Sequence, residues 1–176
     1  MEKVPGWYVI TGGPHSGKTT TVNRLAELGY ETSPEYSRLF IDKELEKGRS
    51  LEEIRKNAKS YQDALVKVKL ELEHKLPKDK DVFIDRGLVD ATAYYKFLRT
   101  PLLKDLVKLC KNRYKKVFIL DILPYKQDYA RTETKKHAYK LHRLIKQAYE
   151  KLGYKIVRIP VMPIEDRVKM ILENIK

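Results

Sequence analysis

Apolar residues fall in two rhythms along this 176-residue chain. Unbroken apolar runs stand at Trp7-Tyr8-Val9-Ile10, Val82-Phe83-Ile84 and Val117-Phe118-Ile119-Leu120. Short, uniform runs of this kind suit strands buried on both faces. Between them, apolar positions recur every three or four residues, the spacing of one helix face. The pattern predicts a strand over 6–11, then a helix that ends near Leu28 where Gly29 stops it. A short strand over 30–33 and a helix over 36–47 follow. Ser50-Leu51-Glu52-Glu53 reads as a capping box. It opens one long helix striped by Leu51, Ile54, Ala58, Tyr61, Leu65, Val68 and Leu72 and ended by Pro77. A third strand spans 81–85, two helices 88–98 and 101–113, and a fourth strand 117–121. Residues 124–137 are polar, without a core stripe, and read as a lid segment. Ala138, Leu141, Leu144, Ile145, Ala148, Tyr149 and Leu152 mark another helix, before a fifth strand over 154–159 and a last helix over 163–175. This alternation predicts an α/β fold: a five-stranded, mainly parallel sheet with helices on both faces, in one domain.

The first strand runs into Gly12-Gly13-Pro14-His15-Ser16-Gly17-Lys18-Thr19-Thr20, a complete G-x-x-x-x-G-K-T loop at a strand–helix junction. Gly12 and Gly17 let the backbone wrap an anion, and the N–H groups of Gly13, Pro14's neighbours, His15 and Ser16 then face phosphate oxygens beside a helix N-terminus. Lys18 reaches the β- and γ-phosphates, and the Thr19 hydroxyl is a ligand for Mg²⁺. Residues 12–20 are therefore the expected nucleotide-binding set of a P-loop NTPase, with ATP or GTP and Mg²⁺ as cofactors.

Other groups gather at predicted strand ends, where ligands bind in doubly wound sheets. Asp85 closes an apolar strand, the pattern of a carboxylate that reaches Mg²⁺. Asp121 closes another and is its rival; Asp85 is preferred because Arg86-Gly87 follows, which sets a fixed guanidinium fork beside the carboxylate. For Asp121 the competing expectation is a turn cap. Glu35, just past the second strand, is placed to accept a proton from a substrate hydroxyl, with Asp85 as the rival base. Arg38 and Asp90 are tentative substrate contacts. Arg131, inside the lid segment, is placed to balance transition-state charge with Arg86 and Arg38. His74, His137 and His142 lack metal-ligand spacing and read as surface or structural residues.

Composition adds a partner and a location. The net charge is +13, and between Lys96 and Arg158 there are 18 Lys and Arg against 5 Asp and Glu. That surplus is either a solvated surface or an attraction for an anionic surface or nucleic acid. One cysteine, Cys110, excludes an internal disulfide. No signal peptide and no run near the ~20 apolar residues of a membrane span is visible, so a cytoplasmic location is expected. Abundant Lys, Glu and Arg with little Gln and Asn suit a heat-adapted organism.

The P-loop, Pro34-Glu35-Tyr36-Ser37-Arg38 and Phe83-Ile84-Asp85-Arg86-Gly87-Leu88-Val89-Asp90-Ala91-Thr92-Ala93-Tyr94-Tyr95 together resemble one AAA-named P-loop family. That family joins the nicotinamide-riboside kinase domain of the bacterial NAD regulator to the TRPL translocation defect protein. The likeness extends to Tyr149-Glu150-Lys151-Leu152-Gly153-Tyr154. The resemblance implies a nucleoside-kinase-like fold using ATP or GTP with Mg²⁺, with nicotinamide riboside as acceptor in one branch. In the other branch it implies GTP and phosphoinositide binding. Deoxynucleoside kinases, more distantly similar, place a proton-accepting Glu and an Arg where Glu35 and Arg86 stand. The reaction expected is a phosphotransfer from a nucleoside triphosphate to an unidentified small hydroxyl acceptor. The alternative is a nucleotide-dependent switch that binds a polyanion, and Pro160–Pro163 is a candidate adenine edge by analogy of fold.

Overall fold

A computed structural model of the chain describes residues 4–124 and 134–175. Five strands form one sheet: β1 (Trp7–Thr11), β2 (Glu31–Ser33), β3 (Val82–Asp85), β4 (Lys116–Leu120) and β5 (Ile156–Ile159). Their order is β2-β3-β1-β4-β5, and every pairing is parallel. β1, β3 and all of β4 after Lys116 are buried, because helices cover both faces. The carboxyl ends of β1 and β3 lie side by side in register, Ile10 against Asp85, so their following loops share one crevice.

Helices α1 (Lys18–Glu27) and α8 (Ile164–Glu173) cover one face, where Val22, Leu25, Val168 and Ile171 pack on Tyr8, Ile10, Phe83 and Phe118. On the other face, α4 (Ala58–His74), α5 (Leu88–Leu98) and α7 (Lys135–Lys151) enclose Val9, Ile84, Val117 and Ile119. Helix α2 (Tyr36–Glu46) leans on α4 beside the site. The expected long helix after Ser50 is two: α3 (Leu51–Arg55) and α4. Ser50 forms the predicted capping box, but Asn57 starts a new helix by accepting the Ser60 N–H at 2.9 Å. A side chain that satisfies a free N–H competes with continuing the helix. The helix expected over 101–113 shrinks to α6 (Leu106–Leu109), flanked by left-handed Arg99, Asp105 and Asn112.

Under β3 lies a buried polar cluster. Glu73 is fully buried and accepts from the Tyr114 hydroxyl at 2.7 Å and from Arg113, with Lys69 Nζ at 3.6 Å. Lys69, also buried, donates to the Asp85 carbonyl at 3.3 Å and lies over the Tyr36 ring. Removing one member strands buried charge, which costs far more than the intact cluster contributes. Glu73→Ala is expected to lower the unfolding free energy by about 3 kcal/mol in a denaturant titration. A loss below about 0.5 kcal/mol would show that water replaces the carboxylate without cost.

Candidate phosphoryl-transfer site

The loop after β1 closes on itself through its own acceptors. Gly17 caps α1 at φ 76°, a left-handed backbone, and a side chain there would strike Arg167 Nη1 at 2.7 Å. Ser16 Oγ donates to the Gly13 carbonyl at 2.9 Å. Arg167, from α8, donates to the Ser16 carbonyl at 3.1 Å and the Met162 carbonyl at 2.9 Å, clamping the loop from outside. Lys18 is 7% exposed, and its Nζ donates to the Gly13 carbonyl at 2.7 Å and Ser16 Oγ at 3.1 Å. Burial, with Arg86 beside it, pulls the Lys18 pKa down to about 7 against Asp85, Asp90 and Glu35. Thr20 points outward, exposed.

Asp85 meets Thr19 at the foot of the loop. Its Oδ2 accepts from Thr19 Oγ1 at 3.1 Å, while Oδ1 is buried with no hydrogen-bond partner among the described residues. Burial raises its pKa, and Arg86 and Lys18 work against that rise. An orphaned carboxylate oxygen beside a threonine hydroxyl fits a hard divalent cation. Asp121 is committed elsewhere: both oxygens accept from Arg158 at 2.7–3.0 Å, an ion pair rather than the expected turn cap.

Beyond β2 and β3 opens the crevice. Glu35 and Arg86 line one cavity of about 270 Å³ together with Tyr36, Arg55, Tyr61, Gln62 and Tyr94. Ser37 Oγ holds the Glu35 carboxylate at 3.0 Å. A second cavity of about 260 Å³ shares Arg55, Tyr61, Gln62 and Tyr94 and extends past Phe97 and Leu141 to Pro14 of the loop. Arg86 adopts φ 58° and its N–H is held by the Ile10 carbonyl at 3.0 Å. Its Nη1 lies 3.4 Å from Asp90 Oδ2 and 3.5 Å from the Gly12 carbonyl. Burial opposes the guanidinium charge, but Tyr94, Asp90, Tyr36 and Asp85 outweigh it and raise the pKa.

The predicted residues thus divide. Lys18, Thr19, Asp85, Arg86 and Glu35 come together. Asp90, expected at the substrate, is instead fully buried beneath Arg86, accepting from Thr11 Oγ1 at 2.5 Å and the Tyr149 hydroxyl at 2.7 Å. The carboxylate was legible; its burial was not, because α5 carries buried residues on nearly every side. Arg38 is exposed and lines neither cavity. Arg131 and most of the expected lid lie outside the described residues. Arg55, Tyr61 and Gln62 were missed because they sit on, or beside, a stripe read as core. His142, read as surface or structural, accepts the Gly13 N–H through Nδ1 at 3.2 Å.

Comparison with known proteins agrees with this fold. A family model described as an AAA domain matches residues 7–167. The thymidylate kinase of Ehrlichia chaffeensis superposes with a TM-score of 0.67 at 17% identity, covering 98% of each chain. The NadR protein in complex with NR superposes at 0.66 and 17% identity, over 95% of this chain and 49% of that one. Deoxyadenosine kinase from M. mycoides with bound dATP gives 0.62 at 10% identity, over 96% of this chain and 98% of that one. These likenesses establish a P-loop kinase fold. No curated protein matches the chain by sequence.

Two outcomes test the site. With burial holding the Lys18 pKa near 7, a bound polyphosphate is expected to draw a proton onto the amine. Nucleotide binding at pH 8 is therefore expected to take up about one proton, and almost none at pH 6, in calorimetry across buffers of differing ionisation enthalpy. Uptake that does not change with pH would contradict the buried, neutralised lysine. Asp85→Asn is expected to raise the Mg²⁺ concentration for half-maximal turnover at least about tenfold, and Asp121→Asn to leave it unchanged. Equal effects of the two substitutions would contradict the assignment of the metal to Asp85.

Proposed function

The chain belongs to the AAA domain family, and from that premise we propose that it is an ATP-dependent, Mg²⁺-requiring phosphotransferase acting on a small, nucleoside-like hydroxyl acceptor. One observation carries this reading: Glu35 and Arg86 line one cavity, and a second cavity that shares Arg55, Tyr61, Gln62 and Tyr94 with it reaches Pro14 of the phosphate loop. A carboxylate in the acceptor cavity repels a phosphate-bearing acceptor and suits a hydroxyl, from which it can take a proton. Asp85 is the less accessible of the two carboxylates, because Thr19 holds one oxygen and the other is buried.

In the proposed reaction, loop N–H groups and Lys18 hold the β- and γ-phosphates. Magnesium held by Thr19 and Asp85 would neutralise charge on those phosphates. Glu35 orients the acceptor hydroxyl and accepts its proton as the oxygen attacks phosphorus. Arg86 balances the charge that spreads over the transferring group. The aromatic walls, Tyr61, Tyr94 and Phe97, suit a flat ring on the acceptor. The second reading is the nucleotide-dependent switch, which the row of exposed Lys135, Lys136, Lys140 and Arg143 on α7 favours as a polyanion surface.

ATP consumption measured across a panel of nucleosides and sugars separates the two. At least one acceptor is expected to stimulate turnover, and Glu35→Gln to cut kcat about 100-fold with ATP affinity retained. No stimulation despite tight nucleotide binding, combined with salt-sensitive binding to anionic vesicles or oligonucleotides, would favour the switch.

A further inference from the structure

Two glycines beside the site are small for the same reason. A side chain at Gly13 would meet the Ala138 carbonyl and His142 Cβ, each at 2.8 Å. One at Gly87 would run into the Tyr149 hydroxyl and the Tyr114 ring. Neither glycine has a left-handed φ; each lets its loop lie directly against α7. At both points α7 also makes a polar bond. His142 Nδ1 accepts the Gly13 N–H at 3.2 Å, and the Tyr149 hydroxyl donates to Asp90 Oδ1 at 2.7 Å. The two residues are seven apart, two turns on one helix face, with buried Ile145 between them. Gly13 belongs to the phosphate loop, and Asp90 holds Arg86 of the acceptor cavity.

We propose that α7 is a strut that fixes the distance between the phosphate loop and Arg86, with His142 and Tyr149 as its positioning residues. This rests on the phosphotransfer reading and adds what keeps its donor and acceptor halves in register. Arg86 makes two long bonds, to Asp90 Oδ2 at 3.4 Å and the Gly12 carbonyl at 3.5 Å, and lies over the Tyr94 ring, so the orientation of Asp90 helps to set its aim. Asp90 is fixed from two sides, by Thr11 on β1 and Tyr149 on α7. Without the Tyr149 hydroxyl the carboxylate keeps Thr11 and the long contact to Arg86, both on Oδ2, and loses the bond on Oδ1 that fixes its rotation. His142 does the equivalent for the loop, provided its ring is neutral. Burial lowers its pKa, Lys18 on the loop, Arg158 on β5 and Lys146 on α7 push the same way, and Asp121 after β4 opposes them. The contact therefore persists at neutral pH and is lost on acidification. Displacing a reacting group by about 1 Å costs on the order of 100-fold in rate, so a strut acts on turnover rather than on ground-state affinity.

The test uses Tyr149→Phe, His142→Ala and His142→Asn, whose amide oxygen stands near the position of Nδ1. Tyr149→Phe and His142→Ala are each expected to lower kcat about tenfold with KM for ATP within about twofold. His142→Asn is expected to recover kcat to within about threefold of the parent. Nitrogen-15 NMR of the nucleotide-free protein supplies a readout independent of turnover. The Arg86 guanidinium signals are expected to be resolved in the parent and merged in Tyr149→Phe, and the Gly13 amide to move in His142→Ala but not His142→Asn. Parental kcat in both deletion variants, or losses confined to KM, would overturn the strut. Should the parent turn over no acceptor at all, the proposed reaction fails, and unchanged Arg86 and Gly13 signals would still overturn the strut by themselves.

Discussion

A polyphosphate can be held only where positive charge and N–H groups converge on a space that no side chain fills. In this protein that space is at the carboxyl end of β1, and satisfying it organises the molecule. Lys18 is withdrawn from water and rests on the loop's own carbonyl and hydroxyl, so its charge is held at a disadvantage until an anion arrives. The surrounding elements then serve as walls. Arg167 from α8 clamps the loop on one face of the sheet, and α7 presses on it from the other. β3 brings Asp85 beside Thr19, and the turn after β3 brings Arg86 over the mouth.

The chemistry visible at the surface depends on carboxylates that are not. Asp90 and Glu73 are both fully buried, and each is satisfied by donors from distant parts of the chain. Asp90 gathers β1, α7 and Arg86; Glu73 gathers Lys69, Arg113 and Tyr114 beneath β3. Such networks contribute little net stability when complete and cost much when broken, so their value lies in holding one geometry. The groups of the candidate site thus sit on a scaffold with few alternative arrangements, the preorganisation that the proposed phosphoryl transfer needs.

Where the chain has strong local signals, sequence and structure coincide. Apolar runs place β1, β3 and β4, and the glycine loop places Lys18 and Thr19. Glu35 and Arg86 were legible because strand ends in parallel sheets converge. The misses have a common origin. Asn57 restarts a helix inside a continuous apolar stripe, and three left-handed residues break the stretch over 101–113, both through local bonding that periodicity ignores. Tyr149 and His142 read as core or surface on α7, yet their polar atoms meet Asp90 and Gly13. A stripe identifies which face is buried and is silent on what that face touches.

The central claim is that loop and crevice form one site, donor at one end and acceptor at the other. The most direct measurement follows labelled γ-phosphoryl from ATP in the presence of a nucleoside acceptor. The account predicts label in a covalent ester with an acceptor hydroxyl, lost in Lys18→Ala and strongly reduced in Glu35→Gln. Label recovered only as inorganic phosphate, at a rate no acceptor changes, would contradict it.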